Sequence, residues 1–498
     1  MVCLSFANLS FVRIWEGTLA YTRSDAFYML RLPSPADILA CLTCVVIFAA
    51  LLWTVVTLAR RYLSVLAFRI LRVSGLAMLV LPLNSLRLSA AVTKNFDLVG
   101  FLSSRSVLLS LAVVLPLVAW MCWKWQRVMV RAAMTVFLVT FAFTVLTFAE
   151  SVTAIATFSG RVHDNPPAPR LAAAPDAHRV VWIIFDEWDY GLTFERRPQN
   201  LQLPAIDRFR SEALAASNAE APTLQTTTSV PAMLMGRIPK TPADRRDWST
   251  TVTLFSAARQ EGINTAIVGW YLPYCRIFSS LVTDCAWWPL PNALNSNGDT
   301  FAEKVTNDAM SLIETGARGV LRQPAAMRYK SRKFEEFLRR AEAGVSDPSL
   351  GLIFLHVPIP HPPHPYNRAT GRFDVKNSRK TGYFDSLALV DRMVAGLRAK
   401  MEQNGLWDRT AVLLSADHPL REPIGPFDPR VPFLLKFPHD TTSVEYAPHL
   451  RTIVTADLLL SILRGEISRR DQALAWIGRH HEDTEVPIEA HRRKLPEN

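Results

Sequence analysis

Long uncharged apolar runs in the first third of the chain constrain its fold more than any other feature. Residues 38–58, 106–123 and 132–149 carry no charge, and each is close to the ~20 residues that a helix needs to cross a bilayer. Residues 62–83 form a similar run with two arginines, whose long side chains can reach the interface. These runs are too many for one cleaved signal peptide, so we expect four transmembrane helices.

The distribution of charge indicates a membrane topology. Residues 1–160 hold 13 Lys/Arg and 5 Asp/Glu, so only +3 of the net charge of +11 remains for the rest, which argues against nucleic-acid binding. Basic residues follow the first span and separate the third from the fourth: Arg60, Arg61, Lys124, Arg127 and Arg131. The positive-inside rule places both loops in the cytoplasm. The N-terminus and everything after about residue 151 are then expected on the outer side of the cytoplasmic membrane.

The rest of the chain divides by composition. Residues 1–158 form the expected membrane domain, and residues 159–179 are rich in Pro and Ala, as in a semi-rigid linker. We expect a globular domain over residues 180–465 and a charged tail over residues 466–498. In the exported part Cys275 and Cys285 are the only cysteines, and we predict a disulfide between them rather than two free thiols.

The globular part alternates apolar runs of strand length with helical patterns. The predicted strands are residues 180–185, 265–271, 351–357, 410–416 and 431–437. The predicted helices include residues 203–216, 253–261 and 381–404. This alternation is typical of an α/β fold in which helices cover a mostly parallel sheet.

Residues able to do chemistry follow several of these strands. In such sheets the site lies at the carboxyl ends of the strands. Asp186 and Glu187 follow the first strand, and Asp417-His418 follows the strand over residues 410–416. His356, His361 and His364 lie at the end of the strand over residues 351–357 and in the loop after it. A hydroxyl cluster, Thr226 to Ser229, opens a helix between them.

These residue types suit a metal-assisted attack by a hydroxyl group. Asp186 or Glu187, with Asp417 and His418, would give a divalent cation two or more oxygens and one nitrogen. Zinc or manganese fits that set best, with calcium or magnesium as alternatives. A cation beside a Thr hydroxyl lowers its pKa and shields phosphoryl or sulfuryl oxygens. A helix N-terminus adds backbone N–H groups that bind anions.

Each feature alone has a simpler interpretation. An Asp at a strand end is often a helix cap, and a Thr/Ser cluster is often a cap or a turn. The stretch HPPHP, residues 361–365, can be a rigid polyproline loop. The arrival of all of them at strand ends of one sheet favours a site.

The ordered set of motifs resembles a known superfamily. The order is strand and acid, Thr-x-x-Ser-x-Pro, strand and His-Pro, then strand and Ser-x-Asp-His, over roughly residues 180–440. This is similar to the alkaline phosphatase/sulfatase superfamily, and most to its membrane-anchored members, the phosphoethanolamine transferases and lipoteichoic acid synthases. The resemblance implies several N-terminal transmembrane helices, a linker and an exported, alkaline-phosphatase-like catalytic domain over residues 180–465.

The resemblance also assigns roles to residues. Thr226 matches the nucleophile, and Ser229 and Pro231 complete its motif. The implied site consists of the catalytic residue Thr226, the metal ligands Asp186, Glu187, Asp417 and His418, and the substrate-binding residues His361, His364 and Ser229. The implied partners are the membrane and a lipid, envelope glycan or other phosphate-ester substrate.

The sequence departs from the family at three points. Pro419 follows Asp-His where the family usually has Gly, and no His lies in residues 419–432. We therefore predict one divalent cation. Ala232-Met233 follows Pro231 where formylglycine-dependent sulfatases carry an Arg, so formylglycine is not expected. The predicted function is a metal-dependent hydrolase or transferase in the cytoplasmic membrane, acting on phosphate or sulfate esters outside it. The alternative is a non-catalytic envelope protein with a degenerate fold of this type.

Overall fold

A computed structural model describes most of the chain. The described residues are 1–19, 33–89, 105–157, 166–172, 178–239, 252–289, 300–316, 322–373, 379–422 and 424–480. The chain forms two compact units, which are Met1–Val162 with Pro291–Ala325, and His163–Leu290 with Ala326–Asn498. The N-terminal unit thus includes a segment from the second half of the chain. The domain boundaries after residues 158, 179 and 465 remain a prediction.

The described elements are numbered here in chain order. The helices are α1 (Val2–Ser10), α2 (Val12–Thr18), α3 (Pro35–Tyr62), α4 (Val65–Ala77), α5 (Val80–Ser89), α6 (Arg105–Val139), α7 (Phe141–Ala156), α8 (Pro204–Ser211), α9 (Thr226–Met235), α10 (Leu254–Gln260), α11 (Tyr274–Phe278), α12 (Phe301–Gly316), α13 (Arg322–Ser346), α14 (Arg379–Gln403), α15 (Thr455–Leu463) and α16 (Arg470–His480). The strands are β1 (Arg179–Asp186), β2 (Leu214–Ala216), β3 (Ala219–Glu220), β4 (Thr265–Tyr271), β5 (Asp284–Pro289), β6 (Leu352–Pro360), β7 (Tyr366–Asn367), β8 (Arg372–Phe373), β9 (Thr410–Ala416), β10 (Phe433–Lys436), β11 (Val444–Tyr446) and β12 (Leu450–Arg451).

Among the described residues, three helical segments are long and apolar enough to cross a membrane. They are Pro35–Tyr62, Val65–Leu86 and Ala112–Ala156. At the start of α3, Asp37 accepts a hydrogen bond from the backbone N–H of Ser34 at 2.7 Å, which caps the helix. Asp37 also forms a buried ion pair with Lys304 of α12, which ties the later segment to the N-terminal unit.

The third and fourth predicted spans meet at a break in the helical backbone rather than at an extended loop. The basic residues expected there lie inside α6, which bends at Trp125. Trp125 has non-helical backbone angles, φ −109° and ψ 18°, so two helices meet there. The apolar segment Ala112–Ala156 has 45 residues and contains this break. The break lies between the two predicted spans, residues 106–123 and 132–149, each close to the ~20 residues needed to cross a bilayer.

The second unit is built around one eight-stranded sheet, as the predicted α/β fold requires. The strand order is β11-β2-β10-β9-β1-β6-β4-β5. The five strands from β9 to β5 run parallel, and β10 pairs antiparallel with both of its neighbours. Every residue of β1, β6 and β9 is buried, because helices cover both faces of the sheet.

Most predicted elements coincide with observed ones. The strands predicted over 265–271 and 410–416 have the bounds of β4 and β9. The helix predicted over residues 203–216 is too long, because α8 ends at Ser211. Its last residues, Leu214–Ala216, instead form β2, which is buried between β10 and β11 and completes their backbone hydrogen bonds.

Candidate active site

Three predicted ligands meet at the carboxyl end of the sheet. Asp186 is the last residue of β1, and Asp417 and His418 follow β9, its direct neighbour. One ligand atom from each of the three lies within 4.8 Å of the other two, and all three side chains are buried. Because β1 and β9 are parallel neighbours, residues about 230 positions apart in the sequence lie in one cluster.

The electrostatics of this cluster fit a bound cation. Asp186 Oδ1 and Asp417 Oδ2 are buried and have no hydrogen-bond donor among the described residues. Burial, with the negative charges of Asp417 and Glu187, raises the pKa of Asp186 well above its usual range. Burial also opposes ionisation of Asp417, but His418 and His356 hold the pKa of Asp417 below its usual value. Two buried carboxylates with unsatisfied oxygens need a positive charge between them, and a divalent cation would provide it.

Thr226 lies beside the cluster. It is the first residue of α9, after Gln225, whose backbone is extended. Its Oγ1 lies 3.1 Å from His418 Nε2, and its side chain is buried. The hydroxyl group of Thr226 therefore lies at a helix N-terminus, where the first backbone N–H groups have no partner within the helix.

Ser229, one turn later, has a different contact. Its hydroxyl donates to the backbone carbonyl of Asp417 at 2.5 Å, and the side chain is fully buried. This bond connects α9 to the residues that follow β9. The hydrogen bond from the Ser229 hydroxyl to the Asp417 carbonyl positions Asp417. The substrate-binding role of Ser229 remains a prediction.

Glu187 takes part in the site through two separate groups. Its φ of 64° is uncommon for a residue other than Gly, and it directs the Glu187 N–H to Asp417 Oδ1 at 3.1 Å. Its carboxylate accepts a hydrogen bond from Arg421 Nε at 2.6 Å. In this arrangement Glu187 is paired with a guanidinium, whereas Asp186 faces the cluster.

His361 belongs to this second group of side chains. Its Nε2 accepts from Arg421 Nη2 at 2.9 Å, and its Nδ1 lies 2.5 Å from the Pro362 carbonyl. Burial, together with the charges of Lys330 and Arg421, lowers the pKa of His361 to about 4. The ring is therefore neutral at pH 7, with its proton on Nδ1 and Nε2 as the acceptor.

Lys330 adds a second cation beside His361. It is a buried residue of α13, and its Nζ donates to the His361 carbonyl. Burial lowers the pKa of Lys330 to about 7, although the charges of Asp186 and Glu187 oppose this shift. We name Glu187, Lys330, His361 and Arg421 the cationic group, because it holds two basic side chains and one carboxylate, which accepts a hydrogen bond from Arg421.

His364, the other predicted substrate-binding histidine, contacts α14. Its Nδ1 lies 3.1 Å from Ser386 Oγ, and its ring packs edge-on against Tyr383. Tyr383 in turn donates to the Glu187 carbonyl at 2.8 Å. The structure therefore brings Thr226, Asp186, Asp417 and His418 together. His364 is connected to Glu187 through Tyr383.

Sequence reasoning missed several residues at the site. Arg421 lies two residues after the Asp-His-Pro motif, and a basic residue so close to the predicted ligands is a sequence signal for a role at the site. Lys330 comes from a helix about 90 residues earlier in the chain and gives no such signal. His356 is buried in β6, and its Nδ1 lies 2.8 Å from the Tyr274 hydroxyl. Tyr274 precedes Cys275, whose predicted disulfide with Cys285 is confirmed.

The family model described as Sulfatase matches residues 178–463, more than half of the chain. The chain belongs to the sulfatase family. This membership confirms the predicted superfamily and its α/β fold, and it identifies the second unit as an enzyme domain of the hydrolase or transferase type. No curated protein matches this sulfatase-family chain.

Several solved structures are similar to this sulfatase-family chain at low identity. The phosphonate monoester hydrolase of Agrobacterium radiobacter is 13% identical, with 58% of this chain and 74% of that one covered, at a TM-score of 0.39. The lipoteichoic acid synthase of Listeria monocytogenes is 11% identical, with 59% and 75% covered and a TM-score of 0.40. A protein of the alkaline phosphatase superfamily from Vibrio parahaemolyticus is 15% identical, with 59% and 68% covered, also at 0.40.

Proposed function

We propose that this chain is a membrane-anchored, metal-dependent enzyme that hydrolyses or transfers phosphate or sulfate esters outside the cytoplasmic membrane, with Thr226 as nucleophile. The observation that carries the proposal is the position of Thr226 Oγ1, 3.1 Å from His418 Nε2 at the edge of a buried Asp/Asp/His group. Asp186, Asp417 and His418 would hold the cation, with zinc or manganese the best match to two oxygens and one nitrogen. When bound, the cation lowers the pKa of a neighbouring hydroxyl and shields the oxygens of the substrate.

The remaining steps of the proposed reaction are assigned to individual side chains. Thr226 oxygen forms a bond to phosphorus or sulfur while the bond to the departing alcohol breaks, and the Thr226 proton ends on that alcohol. Arg421 and Lys330 offer N–H donors to the non-bridging oxygens, and a guanidinium suits two of them at once. An acceptor hydroxyl or water then takes the group from Thr226 and returns a proton to it.

The cationic group supports a site with one metal. No His lies in residues 419–432, where the transferases that this chain resembles often carry one. Arg421 already forms an ion pair with Glu187. A guanidinium hydrogen-bonded to Glu187 and His361 leaves those two side chains engaged. We therefore propose that Arg421 supplies the positive charge that a second cation would otherwise provide.

The membrane helices favour a substrate held at the membrane surface. Three described segments have the length and apolar character to cross a bilayer, so headgroups lie within reach of an exported domain. We therefore favour transfer of a phospho-substituent from a phospholipid. Simple hydrolysis of an ester is the more general form of the proposal.

Intact-mass analysis of the full chain tests the proposal. Protein incubated with phospholipid vesicles and zinc or manganese should carry a phospho-adduct that peptide mapping places on Thr226. Metal analysis of the same sample should find one equivalent of cation. An adduct on another residue, or a metal-free protein with full turnover, would refute the proposal.

A further inference from the structure

A second site lies in the N-terminal unit, inside the set of apolar helices. Residues of α1, α3, α4 and α6 line a cavity of about 660 Å³. Most of the lining is apolar, with Leu52, Trp53, Phe68 and Phe137 among the larger side chains. This volume lies within the range of ~300–1,000 Å³ found for small-molecule sites.

The polar part of this cavity is strongly basic. Four of its lining residues are arginines, namely Arg60 of α3, Arg72 of α4, and Arg127 and Arg131 of α6. None of the lining residues is an Asp or a Glu. Across the described part of the chain, no ion pair joins any of the four to a carboxylate. The Nε of Arg72 is also buried without a hydrogen-bond partner among described residues.

Such an arrangement favours an anion. Arg60, Arg127 and Arg131 are exposed, and they place like charges beside an apolar lining. Arg72 lies within the apolar run over residues 62–83, and its buried N–H without an acceptor costs about 1–3 kcal/mol. A charged side chain within a membrane helix often marks a ligand. Basic pockets between such helices are a known way of holding lipid headgroups.

We propose that this cavity binds one anionic phospholipid. The guanidinium groups would hold the phosphate oxygens in the bidentate manner that suits their planar geometry. The apolar lining would take the start of the acyl chains. A zwitterionic lipid would bind less well, because its ammonium group would meet four arginines and no carboxylate. The proposal does not depend on Thr226 or on the reaction assigned to the second unit.

The neighbouring arginines offer matched controls. Arg69, one turn before Arg72, points to Trp123, since its guanidinium lies 4.2 Å from the Trp123 ring centroid and donates to the Trp123 carbonyl at 2.9 Å. Arg72 lies over the ring of Phe68, which lines the cavity, and the Nε of each arginine is buried without a partner among described residues. Arg61, next to Arg60, lies over the ring of Tyr62. Neither Arg61 nor Arg69 lines the cavity. Replacing these two residues removes the same charge as replacing two cavity arginines.

Native mass spectrometry of the delipidated full chain tests the proposal, with phosphatidylglycerol and phosphatidylcholine added separately. We expect one tightly bound phosphatidylglycerol, favoured over phosphatidylcholine by at least about tenfold. The double variant Arg72→Gln/Arg131→Gln should lose this preference, and the control Arg61→Gln/Arg69→Gln should keep it. If the cavity variant fails to fold, the selectivity of the unmodified chain decides.

Three results would overturn the proposal. Equal binding of the two lipids would show that the arginines do not select a headgroup. An equal loss in the control variant would show that only the overall charge matters. Displacement of phosphatidylglycerol by the same concentration of glycerol phosphate would show a site for soluble anions rather than for a lipid.

Discussion

Replacing the hydroxyl of Thr226 is the most direct test of the proposed chemistry. Thr226→Val keeps the shape of the side chain and removes the hydroxyl oxygen that lies 3.1 Å from His418 Nε2. We expect kcat to fall by at least about four orders of magnitude, as when a covalent step is lost. Thr226→Ser keeps the hydroxyl and should retain activity within roughly tenfold of the parent.

The effect on stability should be small in comparison. Thr226→Val removes one partner of the buried His418 Nε2, which keeps Asp417 Oδ2 at 3.3 Å, so the cost should be about 1 kcal/mol. Ser229→Ala is the matched comparison, since it removes a hydroxyl one turn away that donates to the Asp417 carbonyl at 2.5 Å. An unsatisfied buried carbonyl costs about 1–3 kcal/mol, so Ser229→Ala should be at least as destabilising while keeping measurable turnover.

The assay is turnover of p-nitrophenyl phosphate, bis-p-nitrophenyl phosphate and p-nitrophenyl sulfate by the full chain. Zinc or manganese is restored after purification, and metal content and thermal unfolding are measured on the same samples. The three substrates distinguish a monoesterase, a diesterase and a sulfatase. An inactive Ser229→Ala protein with its metal retained, beside a Thr226→Val protein at the parental rate, would show that Ser229 is the nucleophile.

Further predictions concern the metal, the cationic group and the disulfide. Asp417→Asn should lower bound metal to a small fraction of the parent by elemental analysis, and unchanged metal content would contradict its role as a ligand. Chelation should lower the unfolding temperature of the parent, by the equivalent of about 2.7 kcal/mol at a hundredfold excess of metal over Kd, and should have little effect on Asp417→Asn. Arg421→Met should lower kcat/KM by about 10- to 100-fold, mainly through KM, without loss of metal. An unaltered KM would argue against substrate binding by Arg421. Cys275 and Cys285 should be alkylated only after reduction, and ready labelling in freshly isolated membranes would count against the bridge in the cell.

The sequence alone determined the sheet and the position of its acidic edge. Strands buried on both faces consist of unbroken apolar runs, so the bounds of β4 and β9 follow from composition alone. Parallel strands end at the same edge, and a residue directly after a strand must lie there. This is why Asp186, Asp417 and His418 could be placed together before their distances were known.

Only the tertiary structure decided which of these residues face one another. Whether Glu187 joins Asp186 or turns to Arg421 depends on a positive φ and on a loop from another strand, and neither leaves a periodic pattern in the sequence. Lys330 reaches His361 from a helix whose own residues give no sign of a site. The kink at Trp125 in place of an extended loop was likewise hidden, because the basic residues that suggest a loop are also good helix formers. Local composition fixes how each segment folds, whereas contacts between distant segments depend on packing that no single segment encodes.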